Sequence, residues 1–171
     1  MALELLTANP TSLREENSST LIPGTAVSLD GNALLFVGKS GTGKSSLALE
    51  MMQHGAVLIG DDKVSARTLD GKTLLSPPPN FEGQIEARGI GILSAEFGSG
   101  TLKVIVDLDK SEVDRLPERK TTKILSISVP LLHKVESRHF PFALLQYLKG
   151  GRVAGLMKAQ ILRALNGPSF S

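Results

Sequence analysis

The densest chemistry in this 171-residue chain lies in one run: Gly38, Lys39, Ser40, Gly41, Thr42, Gly43, Lys44 and Ser45. These residues fit the pattern G-x-x-x-x-G-K-[ST] at every fixed position, and each type has a mechanical task. Glycines let the backbone curl until successive N–H groups point at phosphate oxygens, and the positive end of a following helix strengthens that field. Lys44 then reaches the outer phosphates as a point charge, and the Ser45 hydroxyl suits Mg2+.

Two further groups carry oxygen and nitrogen chemistry. Asp61 and Asp62 follow the apolar run Ala56-Val57-Leu58-Ile59 and Gly60. Carboxylates at the carboxyl end of a strand beside a phosphate loop can hold Mg2+ or accept a proton from an attacking hydroxyl. Adjacent residues on an extended strand point to opposite sides, so only one of the pair is expected to face the phosphates directly. The stretch Ile85-Glu86-Ala87-Arg88-Gly89-Ile90-Gly91-Ile92 adds a hard oxygen donor in Glu86 and a guanidinium in Arg88. Glycines around them permit close backbone approach to a ligand.

The elements that must position these groups can be read from periodicity. Ala33 to Val37 is an apolar run that reads as a buried strand entering the loop, and Ser46 to Gln53 is helix-forming, closed by His54 and Gly55. With residues 56–59 as the next strand, this predicts a β-loop-α-β unit with a right-handed parallel crossover. Thr25 to Leu29 alternates in polarity and meets Asp30-Gly31, a turn signal, and residues 63–69 and 72–75 flank Asp70-Gly71 as a second hairpin. Pro77, Pro78 and Pro79 cannot continue a ladder. Residues 82–100 read as glycine-rich loop with short strand pieces, Thr101 to Val106 as a strand, and Ile124 to Ser128 as a weaker one. Phe142 to Leu148 and Leu156 to Leu165 read as helices, the second amphipathic and most simply a packing helix.

Composition narrows the class. The length suits one domain with a substantial core, residues 21–171, behind a polar, loosely ordered tail over residues 1–20. A formal charge of +2 calls for neither nucleic acid nor an acidic membrane. Six Phe, one Tyr and no Trp are too few aromatics for a base-stacking surface. The absence of cysteine excludes disulfides, zinc-thiolate sites and thiol catalysis. No apolar stretch approaches the length of a membrane span, and the first twenty residues lack a signal-peptide core. The expectation is a cytoplasmic α/β protein.

The phosphate loop, the run Leu58-Ile59-Gly60-Asp61-Asp62 and the segment Ile85 to Gly91, in this order and spacing, resemble the HPr kinase/phosphorylase family. The similarity covers roughly residues 21 to 150 and corresponds to the carboxyl-terminal catalytic domain, as in short forms from alphaproteobacteria. It implies an α/β fold with a P-loop core, a mixed sheet and flanking helices. It implies an ATP- and Mg2+-dependent kinase that phosphorylates a serine of the phosphocarrier HPr, with removal by phosphorolysis at the same site, and a ring-shaped homo-oligomer. Carried onto this chain, Gly38 to Ser45 bind ATP, with Lys44 on the phosphates and Ser45 on Mg2+. Asp61 is the base that takes the serine proton, Glu86 the second Mg2+ ligand and Arg115, in Asp114-Arg115-Leu116, a catalytic arginine. The loop for phosphorolysis falls near Lys134 to Arg138, where the match is poor.

One departure stands out. The family's catalytic histidine, on the strand preceding the phosphate-loop strand, aligns with Pro23, followed by Gly24. Proline offers no side-chain proton donor or acceptor, and His54, His133 and His139 do not replace it by position. Two rival readings therefore stay open: a nucleotide-binding regulator that has lost turnover, and a P-loop kinase of a small molecule. No arginine-rich lid of the kind such small-molecule kinases use is evident.

Overall fold

The computed structural model describes residues 18–153, together with Gln160 and Leu165. In chain order its elements are β1 (Thr20–Pro23), β2 (Thr25–Leu29), β3 (Asn32–Val37), α1 (Lys44–Met52), β4 (Val57–Gly60), β5 (Lys63–Leu69) and β6 (Lys72–Ser76). There follow β7 (Gln84–Ala87), β8 (Gly91–Ser94), β9 (Gly100–Ser111), β10 (Lys120–Ile124), β11 (Ile127–Lys134) and α2 (Phe140–Gly150). The predicted tail lies outside the described residues except at its end, where Thr20 already opens β1. The helix predicted over Leu156 to Leu165 likewise lies outside them, Gln160 and Leu165 apart.

Nine strands form one mixed sheet in the order β1-β5-β6-β9-β3-β2-β4, with β11 also on β9 and β10 on β11. The long β9 runs parallel to both β3 and β11. The strand after α1 corrects the expected crossover: β4 does point the same way as β3, but β2 lies between them, antiparallel to both. The β2–β3 hairpin brings the preceding strand into the gap that a simple βαβ unit would close. β7 and β8 form a separate two-stranded sheet.

Among the described residues, two of the three hairpins closed by two-residue turns were legible. Asp30-Gly31 and Asp70-Gly71 each hold two successive positive φ angles, the conformation that makes a primed two-residue turn. The third corrects the sequence reading: Leu125 and Ser126, with φ of 46° and 66°, are the turn joining β10 to β11, not the middle of a strand. Neither residue favours that region, which is why the turn carries no sequence signal.

The sheet curls, and its central strands are buried on both faces. Leu34 and Phe36 of β3 and Val104, Val106 and Leu108 of β9 pack against Ala48 and Met51 of α1 and Phe140, Leu144 and Leu148 of α2. Ala33, Leu35, Leu102 and Ile105 face the opposite core, made with Ile59, Val64, Ala66, Leu75 and Val129. Double burial explains the continuous apolar runs of β3 and β9. α1 ends as expected: Gly55 (φ 94°) and Ala56 return N–H groups to the carbonyls of Met52 and Met51, a Schellman closure. Asn32 donates its side-chain amide to the Leu148 carbonyl at 2.9 Å, tying the end of α2 to the start of the strand that feeds the loop.

Candidate phosphate-transfer site

β3 delivers the chain into the loop at Gly38. Positive φ angles at Gly38 (139°), Gly41 (85°) and Gly43 (97°) curl it back onto the first turn of α1. That helix end has no side-chain cap and no acidic residue in its first turn. Its first N–H groups and its positive dipole end are therefore left for an anion. Lys44 folds over the loop and donates from Nζ to the carbonyls of Gly38 and Lys39, each at 2.9 Å. Thr42 closes the curve from within, its hydroxyl donating to the Lys39 carbonyl at 2.9 Å.

Asp61 joins three elements at one carboxylate. Oδ1 accepts the hydroxyls of Ser45 and Thr25, both at 2.8 Å, and Oδ2 accepts the Glu86 backbone N–H at 3.0 Å. One side chain thus connects the start of α1, the buried strand β2 and the signature strand β7. Asp62 differs. It sits at φ 62°, and the Lys63 N–H donates to the Asp61 carbonyl at 2.7 Å, a tight three-residue turn of the strained left-handed kind. The Gly24 N–H holds the Asp62 carbonyl at 2.9 Å. A Cβ on Gly24 would lie 2.7 Å from the Phe36 carbonyl, so only glycine allows this approach. Backbone strain held by such contacts clusters at functional sites.

A polar cavity of about 250 Å3 lies over the loop, lined among others by Gly41, Lys44, Ser45, Asp62, Glu86 and Arg88. Of the side chains expected to act on phosphate, metal or proton, Lys44, Ser45 and Glu86 converge here and two do not. Asp62 rather than Asp61 lines this cavity. Arg115 stays outside the group, exposed in the segment between β9 and β10. Pro23, exposed at the end of β1, pairs with Lys63 beside the Asp61-Asp62 turn. It ends the strand before β2, one strand earlier than expected, and as an edge strand β1 tolerates the missing donor. His54 is exposed and packs edge-on against Phe142, ring centroids 4.8 Å apart, a contact between the turn after α1 and the start of α2.

The sequence reading missed a brace under the loop. Asp109 Oδ1 accepts the Lys39 N–H at 3.0 Å, the Asp109 N–H donates to Asp107 Oδ1 at 3.0 Å, and Lys110 pairs with Asp107 at 3.2 Å. The alternation Asp107-Leu108-Asp109 at the end of an apolar strand was the available signal. Thr25, whose hydroxyl fixes Asp61, gave none, because nothing local marks a buried threonine as a partner. Two larger cavities flank the first. One of about 470 Å3 lies between Thr42, Gly43, Ser46 and Glu50 on one side and residues 134–138 on the other. One of about 490 Å3 lies beyond Asp61 and Asp62, lined by Leu21, Phe81 and Ile92 among others.

Comparison with known proteins fits this geometry. The family model of the HPr serine kinase C-terminal domain matches residues 15–136. The chain belongs to that family. Curated relatives include the HPr kinase/phosphorylase of Geobacillus thermodenitrificans, 37% identical over 67% of this chain and 41% of its own length. The enzyme of the same name from Bacillus licheniformis is 38% identical over the same shares of each chain. The matched part thus spans about two fifths of these relatives. The Hpr(Ser) kinase/phosphatase from Coxiella burnetii has a similar fold, with a TM-score of 0.66 at 22% identity, covering 76% of this chain and 94% of that one. Among the described residues no helix is long and apolar enough to cross a membrane.

Proposed function

We propose that the protein is a cytoplasmic, ATP- and Mg2+-dependent serine kinase acting on HPr in the control of carbohydrate metabolism. The observation that carries this reading is the Asp61 junction. It ties Ser45 of the phosphate loop to Glu86 of the family signature, beside Asp62 and Lys44. The donor set suits both ligands: loop N–H groups, an uncapped helix end and Lys44 suit phosphates, and the oxygens of Ser45 and Glu86 suit a hard cation. Ser45 and Glu86 would hold Mg2+, which would supply charge neutralisation at the phosphates.

The two aspartates divide the work. Asp61, occupied by three donors, is a positioning residue that aims the Ser45 hydroxyl and the start of β7. Asp62 lines both the loop cavity and the 490 Å3 cavity, whereas Asp61 lines only the latter and already accepts three hydrogen bonds, so the proton-accepting role is assigned here to Asp62 in place of Asp61. In forward transfer it takes the proton from the acceptor hydroxyl. The serine oxygen then forms its bond to the γ-phosphorus as the bond to the ADP oxygen breaks. Lys44 stabilises the charge carried onto the leaving phosphates, and Arg88, on the wall, supplies a guanidinium there in place of Arg115, which does not line the cavity.

Pro23 favours a narrower second reading. With no titratable group at this position beside the Asp62 turn, phosphorolysis would be weaker than forward transfer. Radiolabel transfer from ATP to HPr serine, with Lys44→Ala and Asp62→Asn as controls, tests the proposal. Lys44→Ala should lose most ATP affinity, a few kcal/mol on the order of other charge-assisted contacts. Calorimetry showing unchanged ATP binding in Lys44→Ala would overturn the nucleotide assignment. Normal ATP binding without transfer to HPr would leave the non-catalytic regulator.

A further inference from the structure

Three cavities lie in a row across the site, joined by shared walls. The loop cavity of about 250 Å3 shares Gly43 and Ser46 with the 470 Å3 cavity on one side. It shares Asp62 and Glu86 with the 490 Å3 cavity on the other. Its volume falls below the roughly 300–1,000 Å3 that small-molecule sites occupy, so it suits phosphates and a cation and leaves too little room for a nucleoside as well. A nucleoside triphosphate bound here must extend into one neighbour. The acceptor hydroxyl must approach Asp62, and that approach uses the cavity lined by Leu21, Phe81 and Ile92.

Resting on the nucleotide reading above, we propose that the nucleoside occupies the opposite cavity, between α1 and residues 134–141. Ser46, Leu47 and Glu50 of α1 form one wall and Lys134, Val135 and Arg138 stand opposite. The chemistry fits each part of the ligand. Arg138 supplies positive charge toward the inner phosphate, and the carboxylates of Glu50 and Glu136 can accept from ribose hydroxyls. Val135 and Pro141 give the base apolar contact. Glu136 is already paired with Lys134 at 2.7 Å, which holds the segment in shape on this side. The phosphate chain then crosses the loop at Gly43 and Ser46, and the γ-phosphoryl group arrives at the Asp62 end.

Hydrogen exchange of the full chain with Mg2+ and either ATP or inorganic tripolyphosphate tests this. Both ligands should slow exchange over residues 38–45, and ATP alone should also slow residues 46–50 and 134–141. Photolabelling with 8-azido-ATP should attach within those two segments. The nucleoside assignment is overturned if ATP protects residues 134–141 no more than tripolyphosphate does, or if the label attaches between residues 79 and 92. Protection of residues 38–45 by neither ligand would overturn the phosphate-loop reading and this proposal with it.

Discussion

Removing the Asp61 carboxylate should cost stability, whereas changing Asp62 should cost turnover. Asp61→Ala leaves three donors without their acceptor, two hydroxyls at 2.8 Å and a backbone N–H at 3.0 Å. Thr25 is 0% exposed, so its hydroxyl has no water to turn to, and orphaning it costs about 1–3 kcal/mol. Ser45 and Glu86 are reached by solvent, and each loses about 0.5–1 kcal/mol. The sum is about 3 kcal/mol. For a chain of this size 1 kcal/mol moves the melting temperature by about 2–4 °C, so a fall of about 6–12 °C is expected. Asp62→Asn keeps a residue type that tolerates the positive φ and should melt within about 2 °C of wild type. Its transfer rate should fall by about two to four orders of magnitude. Scanning calorimetry and HPr phosphorylation measure both. A double-mutant cycle with Thr25→Val isolates the buried bond, with a coupling of about 1–2 kcal/mol expected. An Asp61→Ala protein that melts like wild type, or an Asp62→Asn protein that transfers phosphate normally, would refute the division of labour.

Pro23→His should raise phosphorolysis of phosphorylated HPr more than forward transfer; an unchanged ratio of the two rates would show that this position does not limit the reverse reaction. Thr73 carries a buried hydroxyl with no hydrogen-bond partner, so Thr73→Val should stabilise the fold by about 1 kcal/mol, read as a higher urea midpoint. The Glu112 carboxyl is held below its usual range by the Lys120 ammonium, then by the Asp114 N–H and, more weakly, the Val113 N–H. Its depressed value means that this stabilisation is full above the ordinary value of about 4.5 and is lost as pH falls through the lower folded value. The stability gap between wild type and Glu112→Gln should therefore close on acidification, and a gap constant from pH 7 to pH 3 would contradict the pairing.

The phosphate loop, its strand and its helix were legible because their signals are local: glycine spacing, an apolar run, and a helix closed by Gly55. Asp30-Gly31 and Asp70-Gly71 announced their hairpins for the same reason, through residues that accept positive φ. Leu125-Ser126 did not, because a turn imposed by strand pairing leaves no mark when its residues are ordinary. Other features were decided only by tertiary structure. β2 inserts between β3 and β4, so the partners of the Asp61 carboxylate come from strands distant in sequence, Thr25 and Glu86 among them. That Asp62 and not Asp61 lines the loop cavity goes with the turn at Asp62, which the Gly24 contact holds. The sequence alone thus determined a loop at Gly38 to Ser45 whose shape suits phosphate, since its backbone geometry follows from residue types in one short stretch. Which carboxylate lines the loop cavity, and which side chains stand on either side of the loop, depends on long-range strand order, and that order is set by burial on both faces of a curled sheet.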